Sequence, residues 1–436
     1  MKVAQFGMTV GVQTAGRLIG DLGRSAEERK SRSAEMNAQH AALFAEEIGK
    51  LKGSLMKAGQ LVSMFGEHFF PPEVNKFLRT LHNESPPVAW SVMEKVLRRQ
   101  LSDEVLAKLE IDPQPWAAAS LGQVHRAREK ATGRELCVKI QYPGVDRAID
   151  SDLRSLRSIF SVVNLLPVGF DLDPIFAEIR AMLKREVAYD KEFEWTVRFR
   201  DALADDGRYV IPQVIAEYSG KRVITTTFEE GVAVDSPEVA ALSAERRNSL
   251  ATAGLDLFFR EFFRFGFVQT DPHFGNYRIR LGGNGRPDQM VLLDFGAVRV
   301  FPEEFLRDYY GMVRGAWDAD RARFEMSMRR IGVCPADAPL ELRDVFWKLA
   351  RQVLEPFGPV GSSDFVDGAG NYDWGRSDLP TRAAATIGDP AFRIRMPTPP
   401  GELVFLDRKL AGVYIFLRHL GACINSRQIL EGYLPT

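Results

Sequence analysis

With 436 residues, 45% hydrophobic and 26% charged, the chain is long enough for one large core or for two to three lobes of an ordinary globular protein. Its 57 basic and 58 acidic residues give a net charge of −1, which offers no support for nucleic-acid binding. No 18-residue apolar run predicts a membrane-spanning helix, and three widely spaced cysteines (Cys137, Cys334, Cys423) suit a reducing cytoplasm better than a disulfide framework.

Residues 1–22 are dotted with glycine and interrupted by Arg17 and Asp21. They form no cleavable signal pattern, and a packing helix or frayed terminus fits them better than an interfacial helix. Residues 25–110 read as helical. Ser25 and Glu28 have capping-box spacing, and Phe44, Ile48, Leu51, Leu55 and Val62 form a helical stripe. Pro71-Pro72 and Pro86-Pro87 divide this region into separate helices. From Trp116 the character changes to a strand, a small-residue turn and a return strand reaching Arg128. Residues 136–141 alternate as a further strand.

Residues 146–165 and 173–200 have helical periodicity, and 210–214 and 222–228 are β-branched strand-like runs. Beyond residue 240 the chain reads as helical, apart from a hairpin over 277–293. Residues 357–375 read as a surface loop. The order predicts an α+β bilobal fold. A helical extension covers 1–110, a small lobe of five strands 111–230 and a mostly helical lobe 231–436, with a cleft at the linker near 227–231.

The most telling chemistry lies in Asp271-Pro-His-Phe-Gly-Asn276 followed, after the hairpin, by Asp294-Phe-Gly296. Kinase-type phosphotransfer needs one carboxylate to orient the acceptor, here Asp271. It also needs an amide oxygen and a second carboxylate, here Asn276 and Asp294, to hold magnesium on nucleotide phosphates. Folding the hairpin brings Asn276 beside Asp294, two hard oxygen ligands of the kind magnesium prefers. Taken singly, each is also an ordinary turn or helix cap.

Lys139 sits mid-strand after the small-residue turn, where an ATP-binding lobe places a phosphate-contacting lysine. An exposed strand lysine is the alternative. Such a lysine needs a helix carboxylate. Glu186 and Glu192 lie on the following helical run, about 120° apart by helix geometry, with Glu178, Asp190 and Glu194 as rivals. The turn spans Ala117, Ala118, Ala119, Ser120, Leu121, Gly122 and Gln123, so three β-carbons stand where a phosphate-binding loop keeps bare backbone. A plain packed turn fits the same residues. Lys57 and Gln60 share one helix face, and Gly59 between them costs about 1 kcal/mol against alanine. That suggests close approach of another segment, although a solvated face fits equally well.

Together these residues resemble the UbiB/ADCK family of atypical kinase-like proteins, associated with ubiquinone biosynthesis. Lys57-Ala-Gly-Gln60 resembles its KxGQ signature, and Ala117 to His125 its alanine-rich nucleotide loop. Lys139-Ile-Gln-Tyr-Pro-Gly-Val145 matches its strand lysine, Gln269-Thr-Asp-Pro272 with Asn276 its catalytic loop, and Asp294-Phe-Gly296 its metal loop. A tail match runs from Pro397-Thr-Pro-Pro400 through Arg408-Lys-Leu-Ala-Gly412.

The resemblance implies an atypical protein-kinase-like fold with N-terminal helices over the active-site cleft. It implies ATP/ADP and Mg2+ as ligands, and ATPase activity or unorthodox phosphotransfer. By that resemblance Lys139 contacts phosphates, Glu192 is its helix partner and Asp271 is the catalytic carboxylate. Asn276 and Asp294 hold the metal, and Thr227 and Glu229 border the nucleotide. Lys57, Gln60 and Glu186 form a regulatory group. The family's ExD motif here reads Glu186-Val-Ala188, so its second carboxylate is missing. Some relatives carry C-terminal membrane spans. None is expected before Thr436, so membrane contact would be peripheral, at the inner face, for an otherwise cytoplasmic protein.

The expected partners are a nucleotide, a lipid or quinone-precursor ligand and quinone-biosynthesis proteins. Two other readings remain open, a nucleotide-binding pseudokinase scaffold and a conventional protein kinase. The missing Gly-rich loop and Ala-Pro-Glu-type segment argue against the latter.

Overall fold

The computed structural model describes residues 87–119, 121–163, 173–283, 285–335, 337–388 and 400–434. The predicted helices before residue 87, with Lys57 and Gln60, lie outside the described residues, as does Ser120.

Helix α1 (Trp90–Arg98) forms because Met93, Val96 and Leu97 give it one apolar side, which is buried. There follow α2 (Asp103–Ala107), β1 (Leu109–Ala119), β2 (Gly122–Glu129), β3 (Glu135–Gln141), α3 (Val145–Val163), α4 (Asp173–Glu186), α5 (Tyr189–Ala202), β4 (Tyr209–Val210), β5 (Val223–Thr227) and β6 (Val232–Ala233). Next come α6 (Pro237–Ala240), α7 (Ala244–Phe259), a π-helical turn (Arg260–Phe265), β7 (Phe267–Gln269), β8 (Tyr277–Arg280), β9 (Gln289–Leu292) and β10 (Val298–Val300). The remainder is α8 (Glu303–Trp317), α9 (Arg321–Ile331), α10 (Leu340–Val353), β11 (Tyr372–Asp373), α11 (Leu379–Gly388), α12 (Gly401–His419), β12 (Cys423–Ile424) and α13 (Ser426–Glu431). Contacts divide the chain into two units. The first runs to Lys191 and takes in Ile215–Thr227, and the second holds Glu192–Val214 and everything from Phe228.

The first unit is built on an antiparallel sheet of order β1-β2-β3-β5. On β3, Leu136, Val138 and Ile140 are fully buried and alternate with half-exposed Cys137 and Lys139, the period-two pattern of a strand. The chain enters this sheet earlier than its sequence suggests. β1 begins at Leu109 rather than near Trp116, because an edge strand tolerates Pro113 and Pro115. Its register with β2 slips on either side of Pro115. The helical run 173–200 also divides, at Val187–Ala188, into α4 and α5. Glu186 and Glu192 are therefore not two faces of one helix. The run 210–214 contributes only the end of β4, which pairs with β9 in the second unit, so the small sheet has four strands rather than five.

The second unit holds the predicted β8–β9 hairpin inside a sheet of order β4-β9-β8-β6. A second ribbon, β7 with β10, was not apparent in the sequence. Helix α7 is buried on most sides through Leu250, Ala251, Leu255, Leu257, Phe258 and Phe259. Helix α12 crosses it closely. A β-carbon on Gly254 would lie 2.6 Å from the Phe416 ring, so glycine is required there. The expected surface loop 357–375 is partly core, with Tyr372 and Trp374 buried and β11 paired to β12. Among the described residues, no helix is long and apolar enough to cross a membrane.

Candidate functional site

In the first unit, Ala117 and Ala118 belong to β1, paired with Val124 and Gln123, and Ala119 pairs with Gly122. Only positions 120 and 121 connect the strands, so the alanines lie on the strand leading into the turn. Gly122 cannot be replaced without movement. A β-carbon there would stand 2.5 Å from the Ile140 carbonyl oxygen and 2.7 Å from the Tyr189 hydroxyl. Tyr189 is itself buried, and its ring faces the Lys139 ammonium at 5.2 Å from the ring centre. One tyrosine therefore backs both the turn and the lysine. Lys139 stands between Val124 and Ile224 in register, and Thr227 closes β5 opposite Leu136.

Gln123 is fully buried and holds the segment before α1. Its carbonyl oxygen accepts from the Val88 amide at 3.0 Å, and its amide nitrogen donates to the Val88 carbonyl at 3.2 Å. The same nitrogen lies 2.9 Å from His125 Nε2, and His125 Nδ1 lies 2.8 Å from the Asp112 carbonyl. These partners define a neutral ring that donates from Nδ1 and accepts at Nε2. Burial pushes the His125 imidazole below its ordinary pKa of 6.5, with the Asp112 carbonyl opposing.

In the second unit the predicted motifs do converge. The Asn276 side-chain nitrogen donates to the Asp271 carboxylate at 3.0 Å and to its carbonyl at 3.2 Å, which leaves the amide oxygen as the atom that can meet a cation. The Asn276 carbonyl accepts from the Leu293 amide at 3.0 Å, so the hairpin brings it to the foot of Asp294. Both residues line one small pocket with Gln269, Glu261 and Tyr277. Asp294 accepts from the Gly296 amide at 2.8 Å. A β-carbon on Gly296 would meet the Asp294 carboxylate at 3.2 Å and the Glu192 carboxylate at 3.6 Å, so buried Glu192 stands beside this loop. Phe295 is anchored on Phe199 of α5, ring centres 4.6 Å apart. Asn276 and Asp294 supply an amide oxygen and a carboxylate, a donor set that fits magnesium, whose remaining ligands are usually waters and phosphate oxygens. Glu229 is ion-paired to Arg280 at 2.5 Å. Glu186 remains half-buried at the end of α4, within the first unit.

Several residues at this site were given no individual role from sequence. Gln269 is a brace. Its oxygen accepts from the Asp271 amide at 2.9 Å, and its nitrogen donates to the Asp294 carbonyl at 3.2 Å. From α12, Arg408 reaches the Asp271 carboxylate at 2.7 Å. Its neighbour Lys409 is buried 3.4 Å from Glu261 and donates to the Tyr277 hydroxyl at 3.1 Å. Burial lifts Glu261 to about 7, with Lys409 opposing. Burial works against the Lys409 ammonium, but Glu261 and Tyr277 together outweigh it and hold the lysine charged.

Residues 80–328 match the ABC1 atypical kinase-like domain. The chain belongs to the ABC1 atypical kinase-like family, the UbiB/ADCK group. Its relatives include the mitochondrial atypical kinase COQ8 of Saccharomyces cerevisiae, 32% identical over 387 residues, covering 88% of this chain and 74% of the yeast protein. The mitochondrial atypical kinase COQ8B of Danio rerio is 32% identical over 382 residues, covering 87% of this chain and 58% of the zebrafish one. Rv3197 of Mycobacterium tuberculosis, solved in complex with erythromycin, aligns at a TM-score of 0.62 and 27% identity over 94% of this chain and 99% of its own. The ABC1 assignment establishes a kinase-like α+β fold, and a kinase-like family implies nucleotide binding. Arg408, Lys409 and Gly412 lie beyond residue 328, where the domain match ends.

Proposed function

We propose that this ABC1-family chain binds ATP with magnesium and turns it over, by hydrolysis or by transfer to a lipid or small molecule, in support of ubiquinone biosynthesis. The observation that carries the reading is the joined set Asp271, Asn276, Gln269 and Asp294 in the second unit. Its geometry suits a carboxylate that orients an attacking oxygen next to two oxygen ligands for a cation. Magnesium bound there would neutralise charge developing on the phosphates.

Within the first unit we assign Lys139, Ser120 and the flanking strand residues Ala117, Ala118, Ala119, Gly122 and Gln123 to the nucleotide, with Thr227 beside them. Glu192 takes the acidic role that the family gives the lysine's helix partner, and Glu229 borders the nucleotide. Lys57, Gln60 and Glu186 are assigned a regulatory role by the same resemblance. The pathway assignment leans on the relatives named COQ8. Three alanines standing where a phosphate-binding loop keeps bare backbone favour a second reading, a nucleotide-binding scaffold for biosynthetic proteins.

The deciding experiment follows ATP hydrolysis by the purified chain with and without Mg2+, beside Asp294→Asn. Magnesium-dependent turnover that Asp294→Asn abolishes is the expected result. Turnover unchanged by the substitution would sink the reading. In cells, loss of the gene is expected to lower ubiquinone, and the Asp294→Asn form is expected not to restore it. Normal quinone content would remove the pathway assignment.

A further inference from the structure

We infer that Arg408, on α12, is a positioning residue for Asp271. The inference rests on the ATP-turnover reading above and names a part of that machinery.

Asp271 is held at three points. Its amide donates to Gln269, one carboxylate oxygen accepts from Asn276 and the other accepts from Arg408. Without Arg408 the carboxylate has a hydrogen-bonding partner on one oxygen only, so rotation about its side-chain bonds is no longer opposed from the α12 side. The ion pair is partly open to water, with 29% and 22% of the two side chains exposed. Screening at that exposure makes it a weak source of stability. Its value lies in direction, since a guanidinium fixes a carboxylate oxygen more sharply than a point charge does.

The presentation of Arg408 is also built in. Gly412 follows it by one helical turn on the same face of α12. A β-carbon at Gly412 would lie 2.1 Å from Pro272, the residue after Asp271. Lys409 is tied to Glu261 and Tyr277 in the interior. Close approach at one point and a buried ion pair at another fix both the depth and the rotation of α12. Arg408 is therefore delivered to Asp271 by two contacts that do not involve either residue.

In hydrolysis, the γ-phosphorus loses its bond to the bridging oxygen and gains one to a water oxygen. ADP leaves with the bridging electron pair, and the water's proton passes to solvent. Asp271 orients that water, and Arg408 sets where Asp271 points. The arginine does not need to touch the nucleotide, so its removal should act on turnover rather than on binding.

The test compares kcat, KM and Mg·ATP affinity for the full chain, R408Q, R408K, D271N and the D271N/R408Q double variant. A misdirected catalytic group costs roughly a hundredfold. R408Q is expected to lose kcat on that scale while KM and nucleotide affinity hold. R408K should fall between R408Q and the unchanged chain, because it keeps charge but not the planar fork. R408Q should add nothing in the D271N background. If R408Q melts too low to assay, R408K carries the test. An unchanged kcat in either variant, or a loss expressed in KM and affinity, overturns the inference alone. Absence of Asp294-dependent turnover in the unchanged chain overturns the functional reading and this inference with it.

Discussion

His125 shows how a single buried ring ties the small-residue turn to its surroundings. Its two nitrogens are spoken for by Gln123 and the Asp112 carbonyl, and Trp90 lies 4.8 Å away between ring centres. Protonation would set an N–H against the Gln123 amide nitrogen. Gln123 cannot flip to accept it without breaking both bonds to Val88. Because burial keeps the folded-state pKa below the ordinary 6.5, the unfolded chain takes the proton first. The stability linked to His125 is present above pH 6.5 and is lost as pH falls through that value toward the folded pKa. Thermal unfolding followed across this range should show the decline, and His125→Gln should flatten it. An unaltered pH profile in the variant would refute the assignment. The residue types at Asp271, Asn276 and Asp294 were legible because their chemistry repeats in a fixed order. Gln269 was visible only as a letter in a motif, since its role as a brace requires the β7–β10 ribbon that places it.

Elements were legible where periodicity is local, and obscure where a neighbour decides. The β8–β9 hairpin and β3 follow from alternation and turn residues alone. β1 did not, because its prolines mimic a loop and are tolerated only on a sheet edge. The break between α4 and α5 carries neither glycine nor proline to announce it. The role of α12 was hidden most completely. Arg408 meets Asp271 across 137 residues, and no spacing rule reaches that far. Lys409 and Glu261 are 3% and 2% exposed at their side chains, so each depends on the other to be tolerated inside. Lys409→Met should cost about 3–5 kcal/mol by stranding a buried acid. Combining it with Glu261→Leu should recover part of that loss, because the pair is then replaced by apolar packing. Urea unfolding midpoints of the two single variants and the double variant check this. Simple additivity of the losses would count against a coupled pair.

For the whole molecule, each of the two units carries its own share of the assigned residues, Lys139 in the first and Asn276 with Asp294 in the second. Ligand binding to the folded chain alone should raise its stability by about 2.7 kcal/mol at a hundred times the dissociation constant. Melting in ATP, with and without Mg2+, separates the two contributions. Asp294→Asn is expected to erase the magnesium-dependent part of the rise, and Lys139→Met the part that ATP gives without metal. A rise that is identical in all three proteins would assign the nucleotide to other residues.

The close approach of Gly412 to Pro272 bears on where this domain ends. The domain match ends at residue 328, and a fragment cut there would lack α12. It would leave Glu261 facing a hollow, Pro272 uncovered and Asp271 steadied from one side only. The chemical unit is longer than the matched domain, and its last piece is a helix whose part is defined by what it leans on.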